Sequence, residues 1–588
     1  MHVTIAGRTF RISRFVFLLF MGALVGAITG VVTVIFRKAA FWGEEHFFPH
    51  HGYPVFWPGL HEADPANPWL PAALKRVAMP LIGGAICGFV LYKLCQFKQG
   101  HSIPTILRSV AAGKNYFQSK MALPPALALV TLATGGSVGP EGPIAEIGSV
   151  TGSLIGRIAR IPPKLIKTLI GSGVAAGIAA VFNAPIGGVF FAFEVILRNY
   201  EVASLTPILI AAVVASVISQ AALGDKMAIT FPDLNIGLAE LPLFVALGLF
   251  CGLLSIAYIH GLGWTHDRFN RLKTPLWVKP AIGGLSIGVI GVFFPAVMGE
   301  GYDFIRGVID GSQAQGEILL LLVIMLLKIL GTGLTLGSGN PGGSFAPAVF
   351  IGVMGGAAFG TVLHRFNWVA DPAPYAVMGM AGLIAGALGA PITAIMITMR
   401  HGGANSPELL LPLMTTVALC LLVMQPRRNV TVYTLELLRL GIDLDRARRV
   451  DPLSLVGVRS VTRTSGWEDL PASMPVHQAL ERFRDGAWRW FVVRDEDEQF
   501  VGIVSLHEMR LAIAEEELAH LLLLSDISDA FQPRLQMDMN LNEALVGFNA
   551  SDAEVLPVFE SAGVGADFVG VISRQDALNA YYEFTEES

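Results

Sequence analysis

Ser137-Val138-Gly139-Pro140-Glu141-Gly142-Pro143 reads SVGPEGP, a carboxylate set among glycines and prolines at the end of a stretch, residues 121–140, that carries no charge. Proline suits the first turn of a helix, where unpaired N–H groups and the positive end of the helix dipole attract negative charge. Glu141 is therefore expected at a helix start. The flanking glycines let a second backbone approach closely, and N–H groups that hold a carboxylate can hold a free anion in its place. Side chain and ion would then compete for one position, which is a gate; the plainer reading is a carboxylate that caps its own helix.

The rest of the chain decides between these readings. Its 588 residues are 53% hydrophobic and 15% charged, with 64 glycines, outside the composition of an ordinary soluble domain. Uncharged runs at 15–36, 168–193, 204–224, 280–299, 329–363, 372–399 and 409–426 reach or approach the ~20 residues that cross a bilayer. The chain reads as a polytopic α-helical membrane protein embedded in a lipid bilayer. Arg8, Arg11 and Arg14 precede the first run with no acidic residue, so the amino terminus is expected in the cytoplasm and run 15–36 as a retained helix. The four cysteines fall in or beside apolar runs without metal-ligand spacing, and no metal site is expected. The net charge of −5 hides an asymmetry, because residues after Gly441 include no lysine and about twice as many acids as bases, leaving the membrane part basic. No nucleic-acid partner is implied.

Many apolar runs are interrupted by Gly, Pro and Ser clusters: KQGHSIPTIL (98–107), GGSVGPEGP (135–143), FNAPIGG (182–188) and SGNPGGSFAP (338–347). Irregular backbone at membrane depth is tolerated only where protein buries it or where it lines a polar cavity, so broken helices mark a transport path. At GHSIP (100–104), His101 and Ser102 stand just before a helix-like stretch and can ligand an anion. At GSGNPGGSFAPAVF (337–350), glycines and Pro341 lead to a helix start at Ser344 and Phe345. Three helix starts aimed at one point bind an anion by partial charges, which lets it leave quickly. A competing hydrolase reading rests on Gly284-Leu285-Ser286-Ile287-Gly288, a Gly-x-Ser-x-Gly match inside an apolar helix, where small residues usually serve packing.

Beyond Asp443 the long apolar runs stop, and FVGIVSLHEMRLAI (500–513) is repeated as FVGVISRQDALNAY (568–581), each a strand-like run feeding a helical one. The pair resembles tandem CBS domains of the α+β class. Gly502, Ser505, Glu508 and Gly570, Ser573, Asp576 match the Gly-x-x-Ser/Thr-x-x-Asp turn that in such domains can hold the ribose and phosphate of an adenine nucleotide. Ser505 with Glu508, and Ser573 with Asp576, read equally well as helix capping boxes that need no ligand.

GHSIP, GPEGP (139–143) and GSFAP (343–347), followed by Tyr433 in NVTVYTLELL, occur in the order of the GSGIP, GREGP and GxFxP motifs and the pore tyrosine of the CLC family of chloride channels and chloride/proton antiporters. The chain resembles that family over nearly its whole length. The resemblance implies two inverted halves built from broken helices, dividing near 232–241, and a homodimer with one pore per subunit. It implies a chloride-conducting domain over 1–441 and cytoplasmic CBS domains over 450–515 and 524–585, in a bacterial inner membrane. It makes Glu141 the gating glutamate, places the chloride among His101, Ser102, Gly142, Ser344, Phe345 and Tyr433, and requires no cofactor. His101 replaces the family's usual serine, and Pro140 its arginine. Antiporters of the family commonly place two glutamates where FNAPIGGVFFAFEVIL (182–197) has Glu194 and Val195; valine carries no proton, so a channel is expected ahead of an antiporter. A membrane scaffold that senses a ligand through its CBS pair is the alternative from another class.

Overall fold

The computed structural model describes residues 2–5, 8–11, 14–47, 69–95, 102–111, 119–224, 231, 234, 236–314, 316–402, 406–442, 456–483, 490–514, 521–528, 533–551, 553–561 and 566–587. It divides into two compact units, Met1–Leu444 and Asp445–Ser588.

The first unit opens with an antiparallel hairpin, β1 (His2–Ile5) and β2 (Arg8–Arg11), and continues as helices. The first half comprises α1 (Arg14–Phe47), α2 (Trp69–Gly88, prolonged by a π-helical turn to Leu94), α3 (Ile103–Ala111), α4 (Leu123–Ala133), α5 (Glu141–Ile158), α6 (Pro163–Phe182), α7 (Pro185–Phe191, prolonged by the π-helical Ala192–Leu197) and α8 (Val202–Leu223). The second comprises α9 (Leu241–Arg271), α10 (Lys279–Phe293), α11 (Tyr302–Ile309), α12 (Ile318–Gly337), α13 (Phe345–Arg365), α14 (Ala373–Leu388), α15 (Pro391–His401) and α16 (Ser406–Met424), after which α17 (Leu435–Arg439) closes the unit.

The prolines that interrupt the apolar sequence start helices. They fall in the first turn of α4, α6, α7, α9, α10, α14 and α15, where the missing N–H costs no hydrogen bond. Helices α6 and α14 stop at left-handed residues, Asn183 (φ 52°) and Gly389 (φ 71°), each followed by Ala-Pro and the next helix.

The halves repeat one packing scheme. In the first, α5 packs on α6, α6 on α8, and α1 on both α6 and α8; in the second, α13 packs on α14, α14 on α16, and α9 on both α14 and α16. Equivalent glycines permit the closest contact in each half: a Cβ on Gly148 would lie 2.1 Å from the Gly173 carbonyl oxygen, and one on Gly379 2.3 Å from that of Gly352. Across the halves α2 packs on α10 and α7 on α15. An antiparallel bridge joins Gly139 to Gly343 just before α5 and α13, with N–H···O distances of 2.8 and 2.9 Å.

Among the described residues eight helices are long and apolar enough to cross a membrane. Ala73–Leu94 is one that the uncharged runs pass over, because Lys75, Arg76 and Lys93 sit at its ends. The run 168–193 covers parts of both α6 and α7, and 329–363 parts of both α12 and α13. Ser286 lies inside α10 with its hydroxyl bonded to the Ile282 carbonyl at 2.9 Å, a self-capped helix residue rather than an exposed nucleophile.

The second unit holds two three-stranded sheets of identical design: β3 (Glu468–Pro471) parallel to β4 (Trp490–Arg494), which is antiparallel to β5 (Phe500–Ser505), and β6 (Leu535–Gln536) parallel to β7 (Val555–Phe559), antiparallel to β8 (Phe568–Ser573). Even the register break recurs, between Val493 and Arg494 and between Val558 and Phe559. Ile503, Val555 and Val571 pack together, and Phe500 stacks on Phe568 at 4.9 Å, so the copies share a small apolar core.

Candidate functional site

Glu141 is the first residue of α5 and has no exposed surface. A buried carboxylate needs donors. The Tyr302 hydroxyl of α11 donates to Oε1 at 2.7 Å, and the Ala346 N–H in the first turn of α13 lies 3.4 Å from Oε2. Gly139 makes room for this arrangement, since a Cβ there would fall 2.1 Å from Oε2. The carboxylate thus occupies the α13 helix start, a place equally suited to a free anion.

Two cavities flank it, and Glu141 lines neither. Pro140, Tyr302, Arg37, Glu44 and Glu300 belong to the first, of about 410 Å³. Ser102, Ser344 and Tyr433 belong to the second, of about 560 Å³. Tyr433 is 4% exposed and, among the described residues, its hydroxyl meets no hydrogen-bond partner within bonding geometry, with the Ser344 side chain beside it. An unpaired buried donor of this kind fits an anion. Ser344 precedes α13, and its carbonyl accepts the Tyr258 hydroxyl at 3.1 Å. Phe345 packs against Phe182 (4.9 Å between centroids) and Phe191 (6.0 Å), and Phe191 in turn meets Tyr433 edge-on at 6.2 Å. The wall is therefore apolar rings with a few hydroxyls and amides. Gly142 adjoins Ser102, whose Oγ lies 2.5 Å from where a Gly142 Cβ would be.

Of the residues singled out in the sequence, Ser102, Glu141, Gly142, Ser344, Phe345 and Tyr433 are thus gathered around one place, whereas His101 lies outside the described residues. Val195 stands apart, buried in the π-helical turn after α7. Its neighbour Glu194 accepts the Ile392 N–H (2.7 Å), the Thr393 N–H (2.9 Å) and the Thr393 hydroxyl (2.6 Å), so it caps α15. Sequence reading missed Tyr302, the Ala346 amide and this cap. For the cap a signal exists: NAPIGG (183–188) and GAPITA (389–394) are two copies of one helix start.

In the second unit the paired turns are engaged with their own helices. Glu508 N–H donates to Ser505 Oγ at 3.1 Å and Ser505 N–H to Glu508 Oε2 at 2.7 Å, a reciprocal capping box. Asp576 N–H donates to Ser573 Oγ at 3.1 Å, the Ser573 hydroxyl donates back at 2.6 Å, and Arg463 forms an ion pair with Asp576. Partial burial alone would raise the Asp576 pKa, but the hydrogen bonds from Arg463 and Ser573 and the Arg463 charge outweigh it and hold the carboxyl below its ordinary value.

A family model described as voltage gated chloride channel matches residues 83–425, and one for the CBS domain matches 470–515. Chloride channel protein CLC-f of Arabidopsis thaliana is 31% identical over 69% of this chain; the match spans 53% of the plant protein, about half its length. The H(+)/Cl(-) exchange transporter ClcA of Vibrio cholerae is 29% identical over 68% of this chain and 84% of its own. Among solved structures, a slow cyanobacterial Cl-/H+ antiporter shares the fold, with a TM-score of 0.62 at 24% identity, covering 74% of this chain and 99% of that one. With a family match over more than half its length and three broken helix starts meeting at a buried glutamate, the chain belongs to the CLC family of anion transporters, with CBS sequence beyond its membrane part.

Proposed function

We propose that this protein is a chloride channel of the CLC type in which Glu141 is the gate. The observation that carries the reading is the Glu141 carboxylate, buried between two cavities and bonded to donors that an anion can use in its place. When the carboxylate is protonated or swings away, the α13 helix start is free and the cavities become one path. Ser102, Gly142, Ser344, Phe345 and Tyr433, with His101, form the chloride site. Passive conduction is favoured by Val195, which offers no proton acceptor, and by Glu194, whose oxygens are taken up by α15. The subunits pair as a homodimer, each with its own path. The arginines ahead of α1 set the amino terminus in the cytoplasm, and the CBS pair regulates from the same side. The Ser505–Glu508 and Ser573–Asp576 turns act as helix caps; an adenine-nucleotide site there would show as a rise in melting temperature with added nucleotide.

A second reading, chloride/proton antiport, is favoured by its similarity to the Vibrio cholerae exchange transporter and the cyanobacterial antiporter. Simultaneous chloride and pH recording from proteoliposomes separates the two. The channel reading expects chloride flux without proton movement against its gradient, and a reversal potential set by chloride alone. In either case Glu141→Gln, which mimics the neutral side chain, is expected to conduct at neutral pH without further activation by acid. A Glu141→Gln protein that keeps the wild-type pH profile would remove Glu141 from the gate.

A further inference from the structure

Five residues beyond Glu141 on α5, a second carboxylate is bonded to a residue of the proposed chloride site. Glu146 is 2% exposed, and its Oε2 accepts the Ser102 backbone N–H at 3.1 Å. Ser102 holds a left-handed backbone (φ 76°) at the start of the nine-residue α3 and lines the same cavity as Ser344 and the unpaired Tyr433 hydroxyl. Glu146 therefore occupies one of the amides that α3 would otherwise turn toward an anion. None of the residues assigned to gating or chloride binding accounts for it.

We infer that Glu146 is a proton-binding group of the anion path: an anion settles beside Ser102 when the Glu146 carboxyl is neutral, so proton and anion are taken up together. The inference rests on the anion-transport reading but not on the choice between channel and antiporter. Two negative charges a few ångströms apart, away from bulk water, repel strongly, and taking up a proton removes the repulsion. A neutral carboxyl still accepts the Ser102 N–H through its carbonyl oxygen, so the helix start keeps its bond. The coupling is reciprocal: a bound anion favours the proton as much as the proton favours the anion.

From α3 the Ser102 amide faces Glu146, Arg108 is the charged residue of that helix, and Ser344 and Tyr433 stand across the cavity. On its own helix Glu141 lies toward the amino end, where Arg37 of α1 faces it. Helix α6 meets α5 here through Gly148–Gly173 and Ile144–Gly177, and neither α4 nor the first turn of α13 has a charged side chain. His101, next to Ser102 in sequence, is tested directly.

The experiment is chloride titration calorimetry of the purified full-length protein at pH 5 and pH 8 in the Glu141→Gln background, where the gate no longer competes. With Glu146 present, affinity is expected to be weaker at pH 8 by roughly 5- to 150-fold, the usual range of coupling between sites. Adding chloride to lightly buffered protein near neutral pH should take up protons. Glu146→Gln keeps an acceptor for Ser102 and should bind chloride equally at both pH values without proton uptake; Glu146→Asp should retain both effects, and His101→Gln, whatever it does to affinity itself, should keep the ratio between pH 5 and pH 8. The inference is overturned if the pH dependence survives Glu146→Gln, vanishes with His101→Gln, or is absent from the Glu141→Gln parent. Should Glu146→Gln fail to fold, an absence of proton uptake in the parent would still overturn it. No chloride binding in any variant would instead refute the anion-transport reading itself.

Discussion

The Tyr302 hydroxyl reaches Glu141 across 161 residues of sequence and gives the buried carboxylate a charge-assisted hydrogen bond. Such bonds contribute about 1.5–3 kcal/mol. Tyr302→Phe keeps the ring and removes the donor, so the carboxylate should leave the α13 helix start more readily and chloride efflux from proteoliposomes at neutral pH should rise, roughly tenfold. Unchanged efflux would mean that the Ala346 amide holds the gate unaided. The helix start at Glu141 was legible in the sequence because it depends on neighbours in the chain, glycine for space and proline for the turn. Tyr302 was not, because nothing in GEGYD (299–303) distinguishes a gate partner from any interfacial tyrosine; only the fold brings α11 to α5. The Glu146 carboxylate escaped notice for the same reason.

At the level of elements, a side chain from the end of α7 ties down the start of the short helix α15. Glu194 satisfies two N–H groups and a hydroxyl at the start of α15, as an N-cap does from within a helix, but from a different part of the chain. Glu194→Ala should cost about 2 kcal/mol, at the upper end for lost caps, and lower the melting temperature in detergent, with Glu194→Gln falling between. Equal melting of all three proteins would show that water replaces the cap without penalty. This element-scale order was half legible. Proline and glycine clusters located the helix starts, since they act on the backbone around them, and Asp443 marked a change of composition. Where one uncharged run spans two helices, as in 168–193, the FNAPIGG cluster marks the break, made by left-handed Asn183 and Pro185 at the next helix start.

Across the whole molecule the same device, a unit and its copy, is used twice. In the second unit the copies differ where Arg463 forms an ion pair with Asp576, whereas Glu508 of the first copy accepts the Ser505 N–H. Because the folded-state pKa of Asp576 is depressed, its contribution is present above the ordinary value of 3.8 and is lost as pH falls through the lower folded value. Asp576→Asn should therefore lower stability at pH 7 while flattening the loss of stability below about pH 4, read by thermal unfolding of the full-length protein. An identical acid profile in wild type and variant would show that the pair is not felt. In the first unit the copies meet at Glu141, the proposed gate. Glu141 comes from α5, whereas Tyr302 and Ala346, which hold it, come from α11 and α13. If Glu141 gates as proposed, the closed gate is a clasp between the two halves, and a fragment ending at Leu223 would own the latch but nothing for it to catch.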